Sequence, residues 1–251
     1  MSLRANSNFV VFTTNRSGSE WVISTLNGFE GVSAHGELFL PKARATEGKW
    51  DSDFAYPRFI EMKASLPPLR PFSVFSYLDT FYSRTGKSGF KLMYKQLGFY
   101  PEILFYLMRH RIQVVHLVRR NHLDVMLSYA IKAKTGKAHL LNGQTLPNEL
   151  RVELDTRNLV KKLAWLQKQQ DIARKVLVWC RLSHLEIAYE DLVRNQIQFH
   201  LIEDFLSINS REQMAQSALT KIRKGGHRDV IGNYDEVKKV LSNSQFAGLL
   251  E

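Results

Sequence analysis

Two short stretches carry the residue types needed to hold a highly charged anion. The first is Arg16-Ser17-Gly18-Ser19, which follows the apolar run NFVVFTT at residues 8–14 and precedes a helical pattern from Glu20 to Leu26. Backbone N–H groups on a tight turn that opens a helix, helped by the partial positive charge of the helix end, cradle an anion. Gly18 can adopt a backbone conformation closed to other residues, Ser17 and Ser19 add hydroxyl donors, and Arg16 brings a full charge. The second is VVHLVRRNHLDVMLSY at residues 114–129, where a strand breaks at Arg119-Arg120 and a helix begins. Asn121 is placed to cap that helix with Asp124 completing a capping-box exchange, and Ser128 follows Asp124 by one helical turn on about the same face. Arg120 and Ser128 would then meet one anion. For each stretch the competing reading is an ordinary polar turn or a plainly capped helix. Together they suit a ligand that is phosphorylated at both ends.

Groups for proton transfer stand close by in sequence. The segment GVSAHGELFL at residues 31–40 offers His35 and Glu37 as candidate bases, with surface or capping roles as the alternative. Lys91 would either present its ammonium at a strand end or be a solvated lysine, and His116 and His122 read as strand core and helix surface. Glu20 fits poorly beside an anion turn: a carboxylate in the first helical turn favours the helix but repels a phosphate, so it is expected either to point outward or to shape a less usual site. The GxxxxGK[ST] order of nucleoside-triphosphatases is absent, and the 8 histidines show no HExxH or three-ligand spacing, so no metal is expected.

These residues need a frame of strands ending at one edge. Apolar runs at residues 8–14, 90–96, 113–118 and 185–190 read as strands. Helical periodicity follows the first three, recurs over a long stretch from Leu159 to about Val178, and dominates the later part of the chain from Ile197. Residues 176–180 fit either the end of that long helix or a strand, and the connections 40–88 and 130–158 carry little pattern. The expected architecture is an α/β fold with a P-loop-like parallel sheet flanked by helices and a helical C-terminal portion, in a single domain spanning residues 1–251. An apolar fraction of 44% supports a sizeable core. The single cysteine, Cys180, and a polar start that reads as neither signal peptide nor membrane anchor point to a cytoplasmic setting. A formal net charge of +11 favours an anionic partner, although no repeat or finger spacing suggests nucleic acid.

With these motifs in place, the chain resembles the sulfotransferases that use 3'-phosphoadenosine 5'-phosphosulfate. Their phosphosulfate loop is a Lys or Arg followed by Ser-Gly, two Ser/Thr residues and Trp or Phe; here it reads Arg16-Ser17-Gly18-Ser19-Glu20-Trp21, with Glu20 in place of a hydroxyl residue. Their 3'-phosphate motif, an Arg followed eight residues later by a Ser with Asp midway, is matched by Arg120, Asp124 and Ser128. Tyr189-Glu190-Asp191-Leu192 and Arg223-Lys224-Gly225 resemble two further family elements, although the usual continuation of the latter is replaced by Arg228-Asp229-Val230. Arg16 and the GVSAHGELFL segment look closer to the bacterial and carbohydrate branches, whose glutamate is the proposed base.

The resemblance implies sulfuryl transfer to a hydroxyl of a carbohydrate, glycolipid or related small molecule, leaving 3'-phosphoadenosine 5'-phosphate, with no metal, nucleic acid or membrane span. It makes Arg16, Glu37 and His35 the catalytic candidates. Arg16 to Trp21, Arg120, Ser128 and Arg223-Lys224-Gly225 become the cofactor contacts, with Trp21 stacking on adenine or packing under the first strand. The alternatives are a P-loop-type ATP-dependent kinase, and a nucleotide- or polyanion-binding protein without turnover, for which Glu20 is the best argument.

Overall fold

The computed structural model describes residues 8–40, 56–62, 69–136, 140–141, 150–208, 219–220 and 226–250. The architecture is α/β, with a parallel sheet flanked by helices and a mostly helical C-terminal region. Its strands are β1 (Phe9–Thr13), β2 (Val32–Glu37), β3 (Lys87–Met93), β4 (Gln113–Val118), β5 (Leu140–Leu141), β6 (His184–Ala188) and β7 (Leu219–Thr220). Five of them form the parallel sheet in the order β2-β3-β1-β4-β6, while β5 and β7 make a separate antiparallel pair. The described helices are α1 (Ser19–Leu26), α2 (Phe59–Met62), α3 (Arg70–Tyr82), α4 (Tyr94–Phe99), α5 (Glu102–His110), α6 (His122–Thr135), α7 (Leu159–Trp179), α8 (Tyr189–Arg194), α9 (Phe199–Leu206), α10 (His227–Val230) and α11 (Tyr234–Ser242). The chain divides into two compact units, Met1–Val118 with Ala173–Ser217 and Arg119–Ile172 with Ala218–Glu251.

The first unit contains the parallel sheet. Helices cover both faces, which is why the central strands are almost continuously apolar. Val10, Phe12, Phe90 and Leu92 project into one layer with Val74, Leu78 and Phe81 of α3 and Ile103, Tyr106 and Leu107 of α5. Phe9, Val11, Val115 and Leu117 project into the other with Val22, Ile23 and Leu26 of α1 and Ile202 and Leu206 of α9. In a parallel sheet all strands end at one edge, so β1, β2 and β3 deliver their last residues to the same side.

Several boundaries differ from the sequence reading. β3 begins at Lys87 and ends at Met93, because the buried Gln96 side chain accepts a hydrogen bond from Met93 N at 2.9 Å and thereby starts α4. β6 ends at Ala188, so Tyr189-Glu190-Asp191-Leu192 opens α8 rather than closing a strand. Residues 176–179 continue α7, with Leu177 and Cys180 packed in the first unit's core. β2 was not anticipated as a strand: VSAHGE has little apolar alternation, and its start is pinned from outside by Asn27, whose side chain exchanges hydrogen bonds with both the N–H and the carbonyl of Ala34.

In the second unit, Leu123, Leu127 and Ile131 of α6 pack with Leu159 and Leu163 of α7 and with Val237 and Leu241 of α11. Val152 pairs with Ile231 across an isolated parallel bridge. No helix among the described residues is long and apolar enough to cross a membrane.

Candidate functional site: an anion turn linked to a lysine-bridged carboxylate pair

The first turn follows β1 directly. Arg16 has a positive φ of 63°, and Gly18, at φ 84°, is the N-cap residue of α1 with no side chain capping the helix. The glycine is required twice over: its φ lies in the left-handed region, and a Cβ there would fall 2.2 Å from Cδ2 of Tyr189. Tyr189, the first residue of α8, thus lies against the turn. Ser17 is fully buried and its hydroxyl lies 2.6 Å from that of Thr13, which donates to Leu117 O at 2.7 Å. The Thr13 proton is therefore used on Leu117, and the Ser17 hydroxyl donates to Thr13. This side chain ties the turn to the neighbouring strand β4. Trp21 is half-buried and meets the rings of Tyr189 and Phe199 edge to face at 6.3 and 5.9 Å.

Beside the turn lies a polar cluster built from four elements. Lys91 of β3 shares the sheet face of Val11, with which it is in register, and this is the face covered by α1. Its buried ammonium pairs with the carboxylate of Glu20, in the first turn of α1, and lies 3.4 Å from Oε1 of Glu37 at the end of β2. The buried Gln96 side chain donates to Oε2 of Glu37 at 3.1 Å. Both oxygens of Glu37 therefore face a donor, which fixes the orientation of the carboxylate.

A register shift brings Glu37 there. Along β2, His35 opposes Phe90 and Glu37 opposes Lys91, so two residues advance on one strand while one advances on its partner. In a regular strand residues 35 and 37 would share a face. The bulge at Gly36 sends them to opposite faces. His35 enters the aromatic layer against Tyr56 and Phe81, with Nε2 3.1 Å from the Arg84 guanidinium, while Glu37 turns toward Lys91.

The electrostatics are unusual for an interior position. Burial pulls the Lys91 pKa down, but the Glu20 and Glu37 carboxylates outweigh burial and hold it above the ordinary lysine value. The ammonium is thus a cation that offsets carboxylate charge beside the turn at residues 16–19. Of the two alternatives for Glu20, pointing outward or shaping the site, its pairing with Lys91 fits the second.

A second polar network, reaching from the buried His116 to the surface, lies on the other face of the sheet. Nε2 of the fully buried His116 is 2.6 Å from the Tyr94 hydroxyl, Nδ1 is 2.9 Å from Glu186, and Arg174 grips both Glu186 oxygens at 2.8 and 3.0 Å. Burial pushes His116 down to about 4 despite the neighbouring carboxylate. The ring is therefore neutral, with Nε2 accepting from the Tyr94 hydroxyl, itself driven up by burial.

The second turn lies in the second unit. Asn121 caps α6 as expected, accepting from Asp124 N at 3.0 Å. The Asp124 carboxylate engages two partners: Oδ2 receives Arg119 at 3.0 Å and Oδ1 lies 2.9 Å from His227 Nε2. Arg119 is thereby a structural residue, whereas Arg120 is exposed and Ser128 half-buried on α6. His122 is buried, not on the helix surface. Asp229 caps α10 by accepting from Gly226 N at 2.9 Å.

Of the residues singled out by sequence, Arg16, Ser17, Gly18, Ser19, Glu20 and Trp21 occupy the first turn and the start of α1, and Glu37 joins Glu20 through Lys91. His35 lies apart from them, and Arg223, Lys224 and Gly225 fall outside the described residues. Gln96 was missed as a site residue, having been read as the end of a strand. Its signal was a Gln at the third helical position after Met93, half of a capping box. No group of His, Cys, Asp and Glu among the described residues is arranged to hold a metal ion. No model of a known protein family matches the chain, and no curated relative matches it either.

Proposed function

We propose that the protein is a sulfotransferase, moving a sulfuryl group from 3'-phosphoadenosine 5'-phosphosulfate to a hydroxyl of a carbohydrate, glycolipid or related small molecule in a cytoplasmic setting. The observation that carries this reading is the link between the anion turn and an oriented carboxylate. Lys91 ties Glu37 to Glu20, one residue into the helix whose uncapped N-terminus the turn forms. In this reading the acceptor oxygen attacks sulfur, the bond from sulfur to the 5'-phosphate oxygen breaks with its electron pair remaining on the phosphate, and Glu37 accepts the acceptor's proton. Arg16 and the N–H groups of the turn offset charge growing on the leaving phosphate.

The 3'-phosphate is assigned to Arg120 and Ser128. One observation supports that assignment: Arg120 is exposed at the start of the turn, with Ser128 half-buried on the helix that follows. Glu20, the departure from the family pattern, is neutralised by Lys91 and so does not preclude an anion at the turn.

Calorimetric titration tests the reading. Adenosine 3',5'-bisphosphate should bind more tightly than ADP, and Arg120→Ala should erase that preference, since a charge-assisted hydrogen bond contributes about 1.5–3 kcal/mol. Equal affinities for the two nucleotides in the native protein would favour the kinase or passive-binding alternatives. Labelled phosphosulfate offered with a panel of hydroxylated acceptors would then identify the acceptor.

A further inference from the structure

The exposed face of α7 carries a pattern that the reaction does not use. Lys161, Trp165, Lys168, Ile172, Lys175 and Trp179 are all exposed, and the three apolar side chains are 58%, 45% and 84% accessible. Each lysine precedes an apolar residue by four positions, and each set repeats every seven. On one uninterrupted helix, at 100° per residue, these six side chains fall within an arc about 80° wide and about 27 Å long. Tryptophan is seldom left this exposed without a partner surface. The one acidic residue of the helix, Asp171, lies outside the arc.

We propose that this stripe docks the protein on an anionic phospholipid surface. Tryptophan rings favour the headgroup level of a bilayer, with Ile172 reaching between them, and the flanking lysines extend to lipid phosphates while their stems cover apolar surface. The overall charge of +11 draws the protein toward such a surface. Charge also argues against a second copy of the chain as the occupant: a symmetric contact through the stripe would bring two sets of three lysines together and no carboxylate from within the arc. A single-stranded nucleic acid fits less well, because its bases stack in basic grooves and this face is convex. The inference is independent of the reaction proposed above.

Co-sedimentation with phosphatidylcholine vesicles, with and without 30% phosphatidylserine, provides the test. The native protein should favour the anionic vesicles at least tenfold and be released at high salt. Lys161→Glu/Lys168→Glu/Lys175→Glu should lower binding by about a hundredfold or more. The decisive variant is Trp165→Ala/Trp179→Ala, which keeps every charge and alters only exposed positions, its fold checked by circular dichroism. At least tenfold weaker binding is expected, whereas binding equal to that of the native protein would reduce the effect to generic attraction and overturn the proposal. So would failure of the native protein to bind, loss of a dimer mass in light scattering on the same substitution without any change in vesicle binding, or loss only of retention on single-stranded RNA.

Discussion

Replacing Lys91 by Met probes the cluster that links the start of α1 to Glu37. The substitution keeps most of the side-chain volume and removes the cation between Glu20 and Glu37, whose side chains are 25% and 17% exposed against 8% for Lys91. Removing one member of a buried ion pair costs about 3–5 kcal/mol, because the remaining charge is left without compensation. Water reaches both carboxylates in part, which places the expected loss near the lower end, about 3 kcal/mol. With a urea dependence of about 2 kcal/mol/M, the midpoint of unfolding should fall by about 1.5 M. The change is to be followed by circular dichroism on the native protein, Lys91→Met, Glu20→Gln and the double variant. Glu20→Gln should recover about 1–2 kcal/mol in the Lys91→Met background, since one of the two stranded carboxylates is then gone. A Lys91→Met cost below about 1 kcal/mol, or no recovery in the double variant, would refute the picture of a cation holding two carboxylates together.

Three further substitutions test other parts of the structure. Gly18→Ala should lower the melting temperature by about 5 °C or more, because the new Cβ meets Tyr189 at 2.2 Å and the φ of 84° strains any L side chain; an unchanged melting temperature would contradict that placement. Glu37→Gln should reduce turnover with labelled phosphosulfate by about 10²–10⁴ while leaving adenosine 3',5'-bisphosphate affinity within about twofold, and full turnover would move the base elsewhere. His116 is neutral in the fold with a pKa of about 4, below its unfolded value, so its contribution is complete above about pH 6.5 and is lost as pH falls toward 4, by up to about 3 kcal/mol. His116→Gln should flatten that stretch of the stability curve measured by urea titration, and an unaltered slope would assign the dependence to other groups.

What the sequence determined by itself is local. β1 and β4 are apolar runs whose pattern any solvent-excluded strand would share, and Gly18 and Asn121 carry turn and cap chemistry set by their own covalent structure. The helical periodicity of α6, α7 and α11 was legible for the same reason, since burial of one face imposes its spacing. The site was only partly legible. Lys91, Glu20, Glu37 and Gln96 lie on four separate elements, and nothing in the type or spacing of any one of them shows that they meet. Strand order placed β3 between β1 and β2, and a one-residue bulge at Gly36 decided that Glu37, rather than His35, faces the lysine. Likewise Arg119 and Arg120 are chemically identical neighbours until folding brings Arg119 onto Asp124, itself held by His227, and places Arg120 at the surface. Tertiary structure made these choices because side-chain period, register and ion pairing between distant segments depend on packing that no local stretch contains.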